Sequence, residues 1–190
     1  MTSGTGNNLL GAGFANNTFV VSGGCNSCNG VGNILRSTDN GSSWDNVTSG
    51  TGNTLDDVAF GNNTFVVSGA NGTIVRSTDN GTNWDDATVP ANLSCCRVWG
   101  AVFGNNTFVG TTQHGKIVRS TDNGSSFSYV TDGERDDGET NCNHMNDIYF
   151  GNNTFVAVCV SGKMERSTDN GTTWANMDSG TTEHLYGVAF

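Results

Sequence analysis

Apolar positions along this chain come in short alternating runs, each ended by Gly, Asn or Asp, and helix-length patterning is almost absent. The stretch Asp57-Val-Ala-Phe60 predicts a strand, Gly61-Asn62-Asn63 a turn, and Thr64–Ser68 the returning strand. Ala70-Asn71-Gly72 turns again, and Thr73–Ser77 gives a third strand. Asp79-Asn80-Gly81 then turns into a fourth strand that begins near Trp84.

The pattern recurs. Asn-Asn-Thr-Phe-Val stands at Asn16–Val20, Asn62–Val66, Asn105–Val109 and Asn152–Val156, in steps of 46, 43 and 47 residues. A second string, Arg-Ser-Thr-Asp-Asn-Gly-x-x-aromatic, covers Arg36–Trp44, Arg76–Trp84, Arg119–Phe127 and Arg166–Trp174. All ten Phe residues lie in the repeat: Phe14, Phe60, Phe103, Phe150 and Phe190 before the Asn-Asn turn, Phe19, Phe65, Phe108 and Phe155 after it, and Phe127 in place of a Trp. Large apolar groups in register predict core. Four short strands in each such period define an all-β chain, a β-propeller of four-stranded antiparallel blades. The units run approximately 3–48, 49–91, 92–138 and 139–178. Ser179–Phe190 matches Ser3–Phe14 and Ser49–Phe60, so it is expected to be the first strand of a fifth unit. Two readings follow from that surplus: a segment of a longer propeller, which is the simpler, or a strand donated to a neighbouring copy.

The strings Ser37-Thr-Asp39-Asn-Gly41-Ser-Ser-Trp44, Ser77-Thr-Asp79-Asn-Gly81-Thr-Asn-Trp84 and Ser167-Thr-Asp169-Asn-Gly171-Thr-Thr-Trp174 resemble the Asp-box, or BNR repeat. Ser120-Thr-Asp122-Asn-Gly124-Ser-Ser-Phe127 departs only at its aromatic. The resemblance covers nearly the whole chain and implies a propeller whose third and fourth strands join through this hairpin. Its physical role is local: the Asp carboxylate accepts backbone N–H groups of its own turn, Gly takes positive φ, and the aromatic packs between sheets. Sialidases, xyloglucanases, sorting receptors, lectins and photosystem assembly factors share the motif, so the resemblance implies no particular chemistry.

In such blades the Asn-Asn turns and Asp-boxes share one face. Nearly every residue that does not repeat maps to the other. That variable face collects Gly23–Asn33, Ala91–Trp99, Gln113-His114, Thr131–Met145 and Glu183-His184-Leu185-Tyr186. Aligned first strands put Leu10, Asp56, Trp99, Asn146 and Tyr186 at one position. Trp99, Tyr186, Arg97, His114 and His144 are therefore the candidate ligand contacts, with glycan or protein as the expected ligand; ordinary loop drift, and Trp99 as a plug of the channel, are the plainer readings.

Lys+Arg number 8 against 18 Asp+Glu, for a net charge of −10, which excludes a duplex nucleic-acid partner held by neutralised phosphates. No run is long and apolar enough for a membrane span, and Met1-Thr2-Ser3-Gly4 lacks signal-peptide character, so a secreted form would be processed or trimmed. Six cysteines, Cys25, Cys28, Cys95, Cys96, Cys142 and Cys159, fall on or near the variable face and predict disulfides, Cys142 with Cys159 as the best pair and the other connectivity open. A zinc site through Cys25, Cys28, Cys95 and Cys96 is the lesser reading. Sequons stand at Asn16, Asn40, Asn46, Asn62, Asn71, Asn80, Asn92, Asn105, Asn123, Asn152 and Asn170, although turn formation already explains most of them. Together these features predict an extracellular or cell-surface protein.

A sialidase needs three convergent arginines, and of six here Arg36, Arg76, Arg119 and Arg166 occupy one repeated position, leaving only Arg97 and Arg135. Asp56, Asp57 and Asp147 start first strands and could serve an inverting glycosidase, with capping as the plainer explanation. Asp132, Glu134 and Asp136 form a weak calcium candidate in an acidic loop whose Gly is misplaced for an EF-hand; no cofactor is expected. The chain is thus expected to be a non-catalytic structural or binding module, able to assemble through its surplus strand. The alternatives are a fragment of a larger Asp-box glycoside hydrolase and an assembly factor of the photosystem kind.

Overall fold

A computed structural model describes residues 4–24, 32–130 and 144–189, and of Cys95 the backbone alone. It contains four antiparallel sheets, each with its strands in simple sequential order. Blade 1 is β1 (Asn8–Ala15), β2 (Thr18–Gly24), β3 (Asn33–Ser37) and β4 (Asp45–Thr48); blade 2 is β5 (Leu55–Gly61), β6 (Thr64–Gly69), β7 (Ile74–Ser77) and β8 (Asp85–Asp86). Blade 3 is β9 (Val98–Gly104), β10 (Thr107–Thr112), β11 (Ile117–Ser120) and β12 (Ser128–Tyr129), and blade 4 is β13 (Met145–Gly151), β14 (Thr154–Cys159), β15 (Lys163–Ser167) and β16 (Ala175–Asp178). The β-propeller architecture read from the repeat is the one observed.

The turns explain the Asn-Asn strings. Asn62 and Asn63 both take positive φ, 46° and 57°, the pair of conformations a two-residue hairpin needs to match strand twist, and Asn tolerates it at least strain after Gly. Phe60 faces Phe65 across that hairpin at 4.6 Å, and Phe65 lies 6.5 Å from Trp84, so each unit builds an aromatic column from its repeated positions. Phe65, Phe108 and Phe155 are fully buried at the centres of three such columns.

Packing runs from blade 1 to 2, 2 to 3 and 3 to 4, led by the innermost strands β1, β5, β9 and β13. Side chains at alternate positions of an inner strand face the preceding blade. Phe103 covers Gly61 and Phe150 covers Gly104 so closely that a Cβ on either glycine would overlap the ring. The segment just after β8 crosses over as well: Thr88 N–H donates to Ser125 O at 2.9 Å, and Phe127 N–H returns a bond to Thr88 O at 2.8 Å.

One expectation is corrected. Residues 179–189 form no strand. They lie along blade 4 in the place an inner strand would take, with Val188 N–H donating to Asp147 Oδ2 at 2.9 Å and Leu185 N–H to Cys159 O at 3.1 Å. A strand needs a paired neighbour for its remaining backbone groups, and no second strand stands beside this segment among the described residues.

Candidate functional site

The two faces hold carboxylates in opposite environments. On the repeated face, Asp79 Oδ1 accepts N–H bonds from Asn83 at 2.9 Å and Thr82 at 3.1 Å and the Ser77 hydroxyl at 2.8 Å, while Ser77 Oγ itself accepts Gly81 N–H. The Asn83 and Ser43 backbone bonds lead in holding Asp79 and Asp39 down to about 2. At Asp169 burial pushes upward, but bonds from Thr173 and Ser167 outweigh it, again to about 2, and the same balance lowers Asp122. These four carboxylates hold their own turns closed, and Trp84 and Trp174 close two of them further by donating to Gly81 O and Gly171 O.

The repeated arginines and asparagines join blade to blade. Arg36 Nε donates to Asn80 O at 2.7 Å and Arg119 Nε to Asn170 O at 2.8 Å. The amides of Asn80, Asn123 and Asn170 donate to the buried hydroxyls of Thr18, Thr64 and Thr107 at 2.6, 2.6 and 2.8 Å. Those amide nitrogens are where a glycan would attach, and Asn16, Asn62 and Asn71 also donate theirs to Asn63, Asn106 and Asn53, so the fold already uses at least six of the eleven sequon asparagines.

The variable face is built differently. Each inner strand carries a register shift at one position, and the shifted residues are Leu10, Asp56, Trp99 and Asn146. A bulge redirects a side chain out of the regular alternation, so the column that departs from the repeat in sequence also departs from it in backbone. Arg97 grips Asp56 with both Nε, at 2.6 Å, and Nη2, and its guanidinium lies 4.3 Å from the centre of the Trp99 ring. Trp99 lies 5.7 Å from His144, whose Nδ1 is 3.2 Å from Asn146 Oδ1; Asn146 Nδ2 then donates to Leu185 O at 2.7 Å. The row ends at His184, which accepts Ser161 N–H on Nδ1 and faces Tyr186 at 6.1 Å. Tyr186 is 74% exposed.

Arg97, Trp99, His144 and Tyr186, singled out from sequence, therefore fall along one row that runs from blade 3 past blade 4. Arg97 is committed to Asp56 and adds no net positive charge to it. His114 is exposed on the β10–β11 hairpin, and no contact joins it to the row among the described residues. Cys96 is a buried thiol packed with Leu93 and Val98, which moves it from the disulfide candidates to the core. Cys159 is fully buried at the end of β14. Cys25, Cys28, Cys142, the Cys95 side chain and the calcium candidates Asp132, Glu134 and Asp136 lie outside the described residues.

Sequence reasoning missed one feature that the same alignment carries. The position after the bulge reads Gly11, Asp57, Gly100, Asp147, Gly187, alternating from unit to unit. Asp57 accepts Val58 N–H at 2.8 Å on Oδ1 and, on Oδ2, Ala101 N–H of the next blade at 2.9 Å; Asp147 binds Ile148 and Val188 in the same way. Burial pushes the Asp57 carboxyl up, the two backbone bonds oppose it, and Asp147 and Asp56 add to the rise. Asp56 is likewise raised by burial, against the pull of Arg97. Asp57 thus clamps β5 to β9, and Asp147 clamps β13 to the segment around Val188.

No protein-family model matches the sequence. No curated protein matches it either. Solved structures do match in fold. YCF48 bound to D1 peptide superposes with a TM-score of 0.71 at 18% identity, over 98% of this chain and 60% of that one. YCF48 from Cyanidioschyzon merolae gives 0.69 at 16% identity, over 95% and 59%. The Niastella koreensis GH74 enzyme gives 0.59 at 22% identity, over 89% of this chain and 24% of its own. The chain thus spans about 60% of the YCF48 chains it resembles. Its similarity to these proteins is one of β-propeller fold.

Proposed function

We propose that this chain is a non-catalytic binding module that takes an extended segment of a protein ligand across the variable face. The observation that carries the reading is the row Arg97–Trp99–His144–Asn146–His184–Tyr186, set on bulged inner strands of adjacent blades and ending in an exposed Tyr. Trp, Tyr and Arg supply large contact areas with polar tips, the composition of interface anchors. That YCF48, of the same fold, is bound to D1 peptide adds support for a peptide as the ligand class.

The backbone clamps at Asp57 and Asp147 support the non-catalytic reading, because both carboxylates already serve a structural role, each holding a backbone N–H of the neighbouring inner segment. The runner-up remains a fragment of a larger glycoside hydrolase, favoured by the GH74 likeness over 24% of that chain. We also place the protein outside the cell, on its cysteines and its acidic, Lys-poor composition. A Cys142–Cys159 disulfide belongs to the same reading, with Cys159 fully buried at the end of β14. Glycosylation in this setting falls on exposed asparagines such as Asn46 and Asn92 rather than on Asn80, Asn123 or Asn170.

A displayed peptide library and a glycan array, each screened with the 190-residue chain, test the reading. Peptide enrichment is expected, with affinity falling at least roughly tenfold in Trp99→Ala and in Tyr186→Ala. Tyr186 is exposed, so its loss leaves the fold intact. Equal peptide binding by both variants, or signal on the glycan array alone, contradicts it.

A further inference from the structure

We propose that the free face of blade 1 docks on the free face of blade 4 of a second copy of this chain, so that two copies close a single ring of eight blades. Inside the chain, three kinds of contact join successive blades: the Asn-to-Thr bond at all three junctions, the Phe-over-Gly contact at the second and third, blade 1 having Ala15 instead of the glycine, and the Arg bond at the first and third, Arg76 Nε having no partner among the described residues. An inner-strand Phe seats over a glycine, an Asp-box Asn amide reaches a Thr hydroxyl of the preceding blade, and that preceding blade's Arg donates to the carbonyl of the same Asn.

The two end faces carry the unmatched halves of that set. On blade 1, Phe14 is 54% and Leu10 49% exposed, and Asn40 is exposed where Asn80, Asn123 and Asn170 are half-buried. On blade 4, Gly151 and Thr154 border an open hollow with Tyr149 and Val156, and Arg166 is exposed where Arg36 and Arg119 reach a neighbour. Phe14 matches Gly151 as Phe103 matches Gly61, Asn40 matches Thr154 as Asn80 matches Thr18, and Arg166 matches the Asn40 carbonyl as Arg36 matches that of Asn80. Exposed large apolar side chains fall on the same two ends: Leu9, Leu10 and Phe14 on blade 1, Tyr149, Met177 and Tyr186 on blade 4 or the segment along it.

Residues 184–189 already lie in the inner-strand place on blade 4 but pair with no second strand among the described residues. β1 brings the same Gly-then-N–H feature at Gly11-Ala12 that Asp147 grips at Gly187-Val188, and it arrives already paired with β2 in register. The segment is a placeholder that yields when the second copy docks. Closed propellers have typically about four to eight blades, so this head-to-tail contact closes at two copies instead of growing into a filament. The docking faces lie apart from Arg97, Trp99 and His144, but the segment that yields carries His184 and Tyr186, so docking of a second copy displaces that end of the row proposed to bind peptide; the docking proposal does not itself rest on that row.

Light scattering across a concentration series tests it on the 190-residue chain. The expected mass rises from one chain to twice 19.9 kDa. Val188→Pro removes the N–H held by Asp147, weakens the placeholder and moves the doubling to roughly tenfold lower concentration. Phe14→Asp and Gly151→Phe, each with an unchanged circular-dichroism spectrum, hold the mass at one chain, and mixing the two restores association through the one intact pair of faces. A single-chain mass even in Val188→Pro overturns the proposal and assigns the faces to further blades or another protein. Doubling that persists in both face variants overturns it too, as does growth beyond two chains.

Discussion

The repeated face and the variable face are built from the same strands, and their aspartates are perturbed in opposite directions. Asp39, Asp79 and Asp169 sit at the rim, where hydrogen bonds to the charged form hold them at about 2. Asp56 and Asp57 sit at the inner strands, where burial raises them against their partners. The first arrangement stabilises a turn within one blade, and the second fixes one blade to the next. A carboxylate can therefore serve as a local fastener at low desolvation cost, whereas a clamp between blades has to work from inside the packing.

The largest disturbance of that contrast is expected from Arg97→Ala. It strands the buried Asp56 carboxylate without its guanidinium and should destabilise the fold by about 3 kcal/mol or more in urea unfolding. Asp56→Ala with Arg97→Ala should recover part of that loss, because no unpaired buried charge remains. On the repeated side, Gly104→Val drives side-chain atoms into the Phe150 ring and should lose about 2–3 kcal/mol in the same measurement.

Proton linkage separates the faces next. The Asp-box carboxylates have folded values below the ordinary carboxylate range, so their contribution is present above about pH 4 and is lost as pH falls toward about 2. For Asp56 and Asp57 the sign reverses: the raised folded value favours the fold at low pH, and that contribution fades as pH rises from about 4 through the raised values. Thermal melts from pH 2 to 7 on Asp57→Asn should weaken the second dependence, leaving the share of Asp56, and keep the first. The smallest effect belongs to a single box: Asp79→Asn should cost about 1 kcal/mol, read as a small shift in urea midpoint, since three further boxes remain intact.

The repeated half of this molecule was legible because its causes are local. Asn62-Asn63 needs positive φ, Asp79 needs the N–H groups three and four residues on, and Phe65 needs Trp84, all within one unit of sequence. The clustering of Arg97, Trp99, His144 and Tyr186 on one face could also be read, since those residues break the repeat. Their chemistry could not, because Arg97 meets Asp56 across 41 residues and nothing local marks a bulge. The Gly–Asp alternation at 11, 57, 100, 147 and 187 was visible in the aligned strands, but its meaning depends on which backbone N–H each Asp reaches in the next blade. Residues 179–189 repeat a strand sequence without forming one, because pairing requires a partner strand that sequence similarity alone does not supply.

The division of labour between the faces is tested most directly by amide chemical-shift mapping of the labelled chain titrated with a library-selected peptide. Shifts should concentrate at Arg97–Trp99, His144–Asn146 and His184–Tyr186 and leave the turns around Asp39, Asp79, Asp122 and Asp169 unmoved. Shifts centred on the Asp-box turns, with the Trp99 row silent, would contradict the account.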